Sequence, residues 1–297
     1  ALERLQQVVG RKARPWRPAS SDESFEIVRR RLFEEPTAQG QKDRDVIAKA
    51  LVKFYRDHAS EFPREVTESE YEREIKAAYP IHPELFRRLY EDWSTLERFQ
   101  RTRGVLRLMS AVIHRLWEAE DPAPVIMPGS IPLSDERVLG EVTHYLSDVR
   151  KSIIEADVDS PNSTPEQIDR GRDVFHQRHV TRRLARAAFF GSAATLGSSR
   201  KGVERKRIWL ATALPGDVLG NFGFALHLLG EQATYFYSDN SSRYWYDTQA
   251  SINRLARDRA EEYRSHPEDV YAEIVRRLKE RDCAHKGDFA RVVPGPA

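Results

Sequence analysis

Three arginines, Arg101, Arg103 and Arg107, surround a single glycine, Gly104, in the stretch FQRTRGVLRLMSAVIHRLW from Phe99 to Trp117. A guanidinium is a planar fork of donors that stays charged at any relevant pH, which suits it to phosphate and carboxylate oxygens. At the start of a helix it is joined by free backbone N–H groups and the positive end of the dipole. Arg103 and Arg107 are four apart and share one helical face, where like charges repel unless an anion joins them. Anion contact is one reading of these residues, and a solvated basic surface is the other.

A second basic constellation runs from Arg170 to Arg207, with eleven lysines and arginines against Asp173 and Glu204. Its local excess is nine positive charges, so the rest of a chain whose total is +2 carries a net −7. Arg200, Lys201, Arg205, Lys206 and Arg207 cluster at its end, and Arg243 sits further on beside Tyr244 and Trp245. Such a belt neutralises nucleic-acid phosphates in a salt-dependent way, unless the acidic remainder of the chain occupies it first. The aromatics Tyr235, Phe236, Tyr237, Tyr244, Trp245 and Tyr246 could stack on single-stranded bases, or pack across two strands with alternate rings in the core.

Other chemistries lack their residues. No G-x-x-x-x-G-K-[ST] occurs, and GSAATLGSSRKG has neither its spacing nor its Lys-Ser/Thr pair, so this chain alone offers no cradle for a triphosphate. There is no G-x-S-x-G elbow and no H-E-x-x-H helix, and His176 and His179 have no partner carboxylates at ligand spacing. A single cysteine, Cys283, rules out an internal disulfide. No run approaches the roughly 18 to 20 apolar residues of a membrane helix, and ALERLQQVVGRKARPW lacks the apolar stretch of a signal peptide, so a cytoplasmic location with no membrane partner is expected. The chain begins with Ala and ends in the loop-like RVVPGPA, which suggests a fragment of a longer polypeptide.

The elements that must position these residues are mostly helical. Capping boxes at Ser20 and Glu23 and at Thr67 and Glu70 predict helices over about 21 to 33 and from 67 onward, and His82 should cap another starting at Pro83. Val46, Ile47, Ala50, Leu51, Phe54 and Tyr55 form a helical stripe. So do Val105, Leu108, Met109, Val112, Ile113 and Leu116 behind the three arginines. One helix is predicted over 134 to 158 through Val138, Val142, Tyr145, Leu146, Val149 and Ile153, and DVDSPNSTPEQ reads as a linker. In the last third a helix through VTRRLARAAFF, the basic loop, a strand in RIWLATAL, a helix in PGDVLGNFGFALHLLG and a hairpin around SDNSS follow the order of a winged helix. The helix in recognition position holds one acid, one histidine and no Lys or Arg, poor material for reading bases. Two further helices, about 250 to 265 and 267 to 282, close the chain.

YPIHPELFRRLYEDWSTLERFQRTRGVLRLMSAVIHRLW, with FEIVRRRLFE upstream and RYWYDTQASINRLARDRA downstream, resembles the domain-of-unknown-function family four-nine-nine, predicted AAA+-like ATPases of prokaryotic phage-defence islands. The resemblance implies a nucleotide-binding core ahead of Ala1, with ATP and Mg bound in the full-length protein and neither by this chain alone. It implies that the first part is a helical AAA+-type lid, and with the element order above the expected fold is mostly α: the lid at 1–120, a connecting helical segment and linker at 121–165, and a winged-helix-like α+β domain with C-terminal helices at 166–297. AAA+ lids commonly carry G-x-x-R at a helix start, whose arginine senses the γ-phosphate, and Gly104-Val105-Leu106-Arg107 matches that spacing. Arg103 is the neighbouring candidate, and Arg101 is the third, acting between subunits of a homo-oligomer. The partner so implied is the remainder of the ATPase module, and the basic belt and winged-helix order add duplex DNA or a partner subunit as what the second half contacts. The alternative is a non-enzymatic helical DNA-binding or scaffolding protein.

Overall fold

The computed structural model describes residues 21–196, 201–239, 242–264 and 266–281. The predicted cap Ser20 lies outside them. The fold is mostly helical with one small antiparallel sheet.

Helix α1 (Ser21–Leu32) is followed by α2 (Ala38–Asp57), capped by the Thr37 hydroxyl accepting from Gly40 N–H at 3.1 Å. Helix α3 (Ser69–Ala78) starts after a 3-10 turn, Arg64–Thr67. The predicted Thr67 capping box is absent, because that hydroxyl donates to the Arg64 carbonyl instead. Helix α4 (Pro83–Arg87) begins as expected, with His82 Nδ1 accepting from Glu84 N–H at 3.2 Å and proline in the first turn, and it widens into a π turn, Arg88–Asp92. Helix α5 (Arg101–Glu118) buries Val105, Leu108, Met109 and Val112, the stripe read from the sequence.

The single helix predicted over 134 to 158 is two, α6 (Glu136–Tyr145) and α7 (Val149–Asp157). Ser147 and Asp148 turn the chain between them, their carbonyls accepting from Arg150 and Lys151 N–H, and the turn resets the phase of the second helix. Val149 is therefore exposed, and Arg150, Ile153, Ile154 and Asp157 face inward.

Nor is DVDSPNSTPEQ a linker. Asp157, Asp159, Ser163 and Glu166 are all buried. Buried carboxylates must be satisfied. Asp157 accepts from Thr164 Oγ1 at 2.9 Å and from Tyr235 N–H at 2.6 Å, while Asp159 accepts from Ser134 N–H at 2.9 Å and pairs with Arg186 at 2.8 Å. Helices α8 (Thr164–Arg170) and α9 (Asp173–His176) then lead into α10 (Val180–Ser192), the centre of the molecule. All but three of its thirteen residues are buried. Glycines let neighbours come close to it, as at Gly129 in the turn Pro128–Ser130, where a Cβ would stand 2.9 Å from the Arg183 carbonyl.

Strand β1 (Val203–Glu204), helix α11 (Arg205–Leu210) and helix α12 (Leu219–Gln232) follow, then the expected hairpin of β2 (Phe236–Ser238) and β3 (Arg243–Tyr246). The sheet order is β1-β3-β2, with Val203 opposite Tyr244 and Phe236 opposite Tyr246. The strand predicted in RIWLATAL is instead helix α11. Six residues are too few to show a helical period, and Ile208, Trp209 and Leu210 are all buried, which in sequence reads as an apolar strand. Helices α13 (Ile252–Arg264) and α14 (Pro267–Arg281) complete the description.

One hydrophobic core runs from Val28 to Tyr246, across the borders expected near 120 and 165. Trp93 joins its two ends, stacking on Phe190 at 4.5 Å and donating from its indole N–H to the Phe190 carbonyl at 2.9 Å. No helix among the described residues is long and apolar enough to cross a membrane.

Candidate functional site

Helix α5 turns Arg103 and Arg107 to the surface while its opposite face enters the core. Arg107 is half exposed and donates from Nη2 to Glu141 Oε1 on α6 at 2.8 Å. That hydrogen bond and the Glu141 charge raise the pKa of a guanidinium that is already always protonated. Among the described residues, the one contact of Arg103 is a 3.5 Å approach to the Gln100 side chain. The side chain of Arg101 lies outside the described residues. Arg107, His114, Arg137 and Glu141 line a shallow polar groove of about 590 Å³ between α5 and α6. Glu141 comes from a helix 34 residues on, too far for any local spacing to pair it with Arg107. Arg107 thus stands on the groove held by a partly exposed carboxylate, a pair weak enough to exchange partners, while Arg103 does not line the groove.

The belt is arranged otherwise. Arg170 and Arg182 pair with Glu166 at 3.0 and 3.2 Å, Arg178 and Arg183 with Asp217 at 3.1 and 2.9 Å, and Arg186 with Asp159. Lys201 meets Asp247, Arg205 meets Glu61 at 3.2 Å, and Arg207 meets both Glu65 and Glu84. Eight of the eleven cations thus face seven carboxylates that come from outside the segment. Of the others, Arg172 lies over the Phe224 ring at 5.2 Å, Lys206 is exposed, and Arg200 lies outside the described residues. The five described residues of the six proposed for nucleic acid fall in two places. Lys201 and Arg243 border the hairpin, where Arg243 Nη1 reaches Glu204 at 2.9 Å, and Arg205, Lys206 and Arg207 ride on α11.

Arg207 is the most deeply engaged of these. Burial lowers its pKa, but Glu84 and Glu65 outweigh that and raise it overall. Glu84 is fully buried, and Arg87 at 3.3 Å and Arg88 at 3.1 Å reach it besides. Next to it, the neutral His82 ring, whose Nδ1 accepts from Glu84 N–H, carries its proton on Nε2 and donates it to the Tyr55 hydroxyl oxygen at 3.0 Å, and burial, then the Arg87 charge, pushes its pKa down to about 3.

The hairpin rings divide as strand alternation requires. Phe236 and Tyr246 enter the core, while Tyr237 and Trp245 stack on each other at 5.8 Å on the other face, with the Lys201 ammonium 5.3 Å from the Trp245 ring. Helix α12 shows solvent Gly220, Phe224, His227 and Glu231, a face with no Lys or Arg.

His179 does acquire partner carboxylates, which the local sequence could not reveal because they come from α8. Ligand atoms of Glu166, Asp169 and His179 lie within 4.8 Å of one another. Both carboxylates are already employed: Glu166 faces Arg170 and Arg182, and Asp169 accepts from the Thr181 and Arg182 N–H groups at 2.8 and 3.0 Å, capping α10. Burial and the nearby Arg182 lower the pKa of His179.

A family model described as DUF499 second domain matches residues 19–200, more than half of the chain. No curated protein and no solved structure matches it.

Proposed function

The chain belongs to the DUF499 family, whose second domain it carries, and we propose that it is a non-catalytic regulatory module of a longer AAA+-like ATPase of a defence system. In this reading α5 and its neighbours form the lid, and Arg107, with Arg103 beside it, meets a nucleotide phosphate presented by the rest of the polypeptide. The observation that carries this is the state of Arg107: half exposed, on the rim of a groove, and held among the described residues by Glu141 across a surface ion pair. A phosphate oxygen can replace that carboxylate at small cost. ATP and Mg belong to the full-length protein, because this chain supplies arginine contacts and no loop of backbone amides for a triphosphate.

The order α10, β1, α11, α12, β2, β3, with β3 in the middle of the sheet, supports a winged helix for the second half. Its partner is a protein rather than duplex DNA. Helix α12 presents Phe224, His227 and Glu231 where a DNA reader needs cations, and eight belt cations are paired internally. Because one core unites both halves, nucleotide-driven movement of the lid carries the winged helix with it.

Nucleotide binding by the full-length protein, beside this chain, tests the reading. The full-length protein should bind ATP with magnesium and this chain should not. Equal binding by both, or by neither, would return the arginines to surface charge on a scaffolding protein.

A further inference from the structure

A second cavity, of about 590 Å³, opens where the end of the α4 region, the α6–α7 turn and the end of α10 meet. Its walls include Leu96, Leu146 and Leu196, with the exposed Ser147 at its edge and Arg150 among its lining residues. Arg150 is only 9% exposed. Its one hydrogen bond among the described residues is a long 3.4 Å contact from Nη1 to the Tyr246 carbonyl, and no carboxylate among them forms an ion pair with it. Asp247, the acid that acts on it through space, is engaged by Lys201.

A buried charge without a partner is costly, which is why buried arginines are nearly always paired. This one differs from Arg183, Arg186 and Arg207, each of which meets a carboxylate at 3.2 Å or closer. Burial pulls its pKa below the usual value, as expected of a guanidinium whose charge is not compensated. Arg150 lines a cavity of small-molecule size whose walls are partly apolar, so a ligand seated there lies within reach of the guanidinium. A single guanidinium fork matches one carboxylate, whereas a phosphate dianion calls for further cations that the cavity does not hold. Asp148, the nearest acid in the chain, is exposed and does not line the cavity.

We propose that this cavity binds a small carboxylate bearing an apolar or aromatic group, with the carboxylate on Arg150 and the apolar part against Leu96, Leu146 and Leu196. The site is separate from the α5 rim and does not depend on the role given to Arg107.

Benzoate is the probe, with benzyl alcohol as its neutral counterpart and inorganic phosphate as the competing anion, each titrated into the whole chain and followed by ligand-observed and ¹⁵N-detected NMR. Arg150→Gln keeps a donor for the Tyr246 carbonyl but removes the charge. Leu196→Trp fills the cavity without touching the guanidinium. Benzoate should saturate in the millimolar range, benzyl alcohol and phosphate should bind at least about tenfold more weakly, and each variant should lose about tenfold or more. Circular dichroism checks both variants, and if Arg150→Gln fails to fold, Leu196→Trp decides. Unsaturable benzoate, equal binding of benzyl alcohol, tighter binding of phosphate, or unchanged affinity in a folded variant would each overturn the proposal.

Discussion

Replacing Arg207 by alanine tests whether the basic belt is an internal fastener. Arg207 spans two parts of the chain, with Nη1 at 3.2 Å from the buried Glu84 and Nη2 on Glu65, and its side chain is 24% exposed. Removing one member of a fully buried ion pair costs about 3 to 5 kcal/mol, most of it from the charge left behind. Here Glu84 keeps Arg87 and Arg88, at 3.3 and 3.1 Å, so its charge is not abandoned. The loss is then nearer that of one charged hydrogen bond with partial desolvation, about 2 kcal/mol. Arg205 is the comparison on the same helix. It is 47% exposed and its partner Glu61 36% exposed, so Arg205→Ala should cost at most about 1 kcal/mol. Urea unfolding followed by circular dichroism reads both. Arg207→Ala should lower the midpoint with little change in slope, and its effect should persist in high salt. In a double-mutant cycle with Glu84→Gln the two changes should couple by about 1 kcal/mol or more. If Arg207→Ala lies within about 0.5 kcal/mol of Arg205→Ala, the fastener account is wrong.

Three further outcomes follow from the same structure. His82, held neutral by burial with a pKa near 3, binds its proton more readily when unfolded, so its contribution to stability is complete above about pH 6.5 and is lost as the pH falls toward 3, at up to about 1.4 kcal/mol per pH unit; His82→Asn should flatten that slope in urea titrations across the window, and an unchanged slope would refute it. Duplex DNA should bind weakly at low salt and lose that binding near physiological salt, and tight binding that Lys201→Ala, Arg205→Ala, Lys206→Ala and Arg207→Ala together abolish would show the belt free for phosphates. This chain alone should release no phosphate from ATP with magnesium, and steady turnover by material free of contaminating ATPases would show a nucleotide site here that the sequence motifs do not reveal.

Where one helix follows its own period without interruption, the sequence was sufficient. The α5 stripe from Val105 to Val112 and the His82 cap on α4 are local matters, decided by residues three and four apart. The α6–α7 region departs from a single helical period because the three residues Leu146, Ser147 and Asp148 turn the chain and shift the phase. Val149 took the place of Arg150 on the buried stripe, and the buried arginine was thereby hidden. An arginine in register with Ile153 and Ile154 was the available signal. Burial of the aspartates in DVDSPNSTPEQ was illegible for another reason: their partners, Ser134, Arg186 and Tyr235, are distant in sequence. The belt shows both sides of this limit. Its charge and the compensating −7 elsewhere could be counted from composition, but which carboxylate meets which cation is fixed only by folding.

The role of Arg107 is tested most directly by ATP hydrolysis in the full-length protein. In the proposed role Arg107→Ala would remove a cation from a transferring phosphoryl group and should lower the rate by at least about tenfold, while Arg98→Ala, an exposed arginine ahead of α5, should leave it unchanged. Glu141→Gln, which releases Arg107 from its surface partner, should retain activity. Equal rates for Arg107→Ala and Arg98→Ala in folded protein would contradict the account.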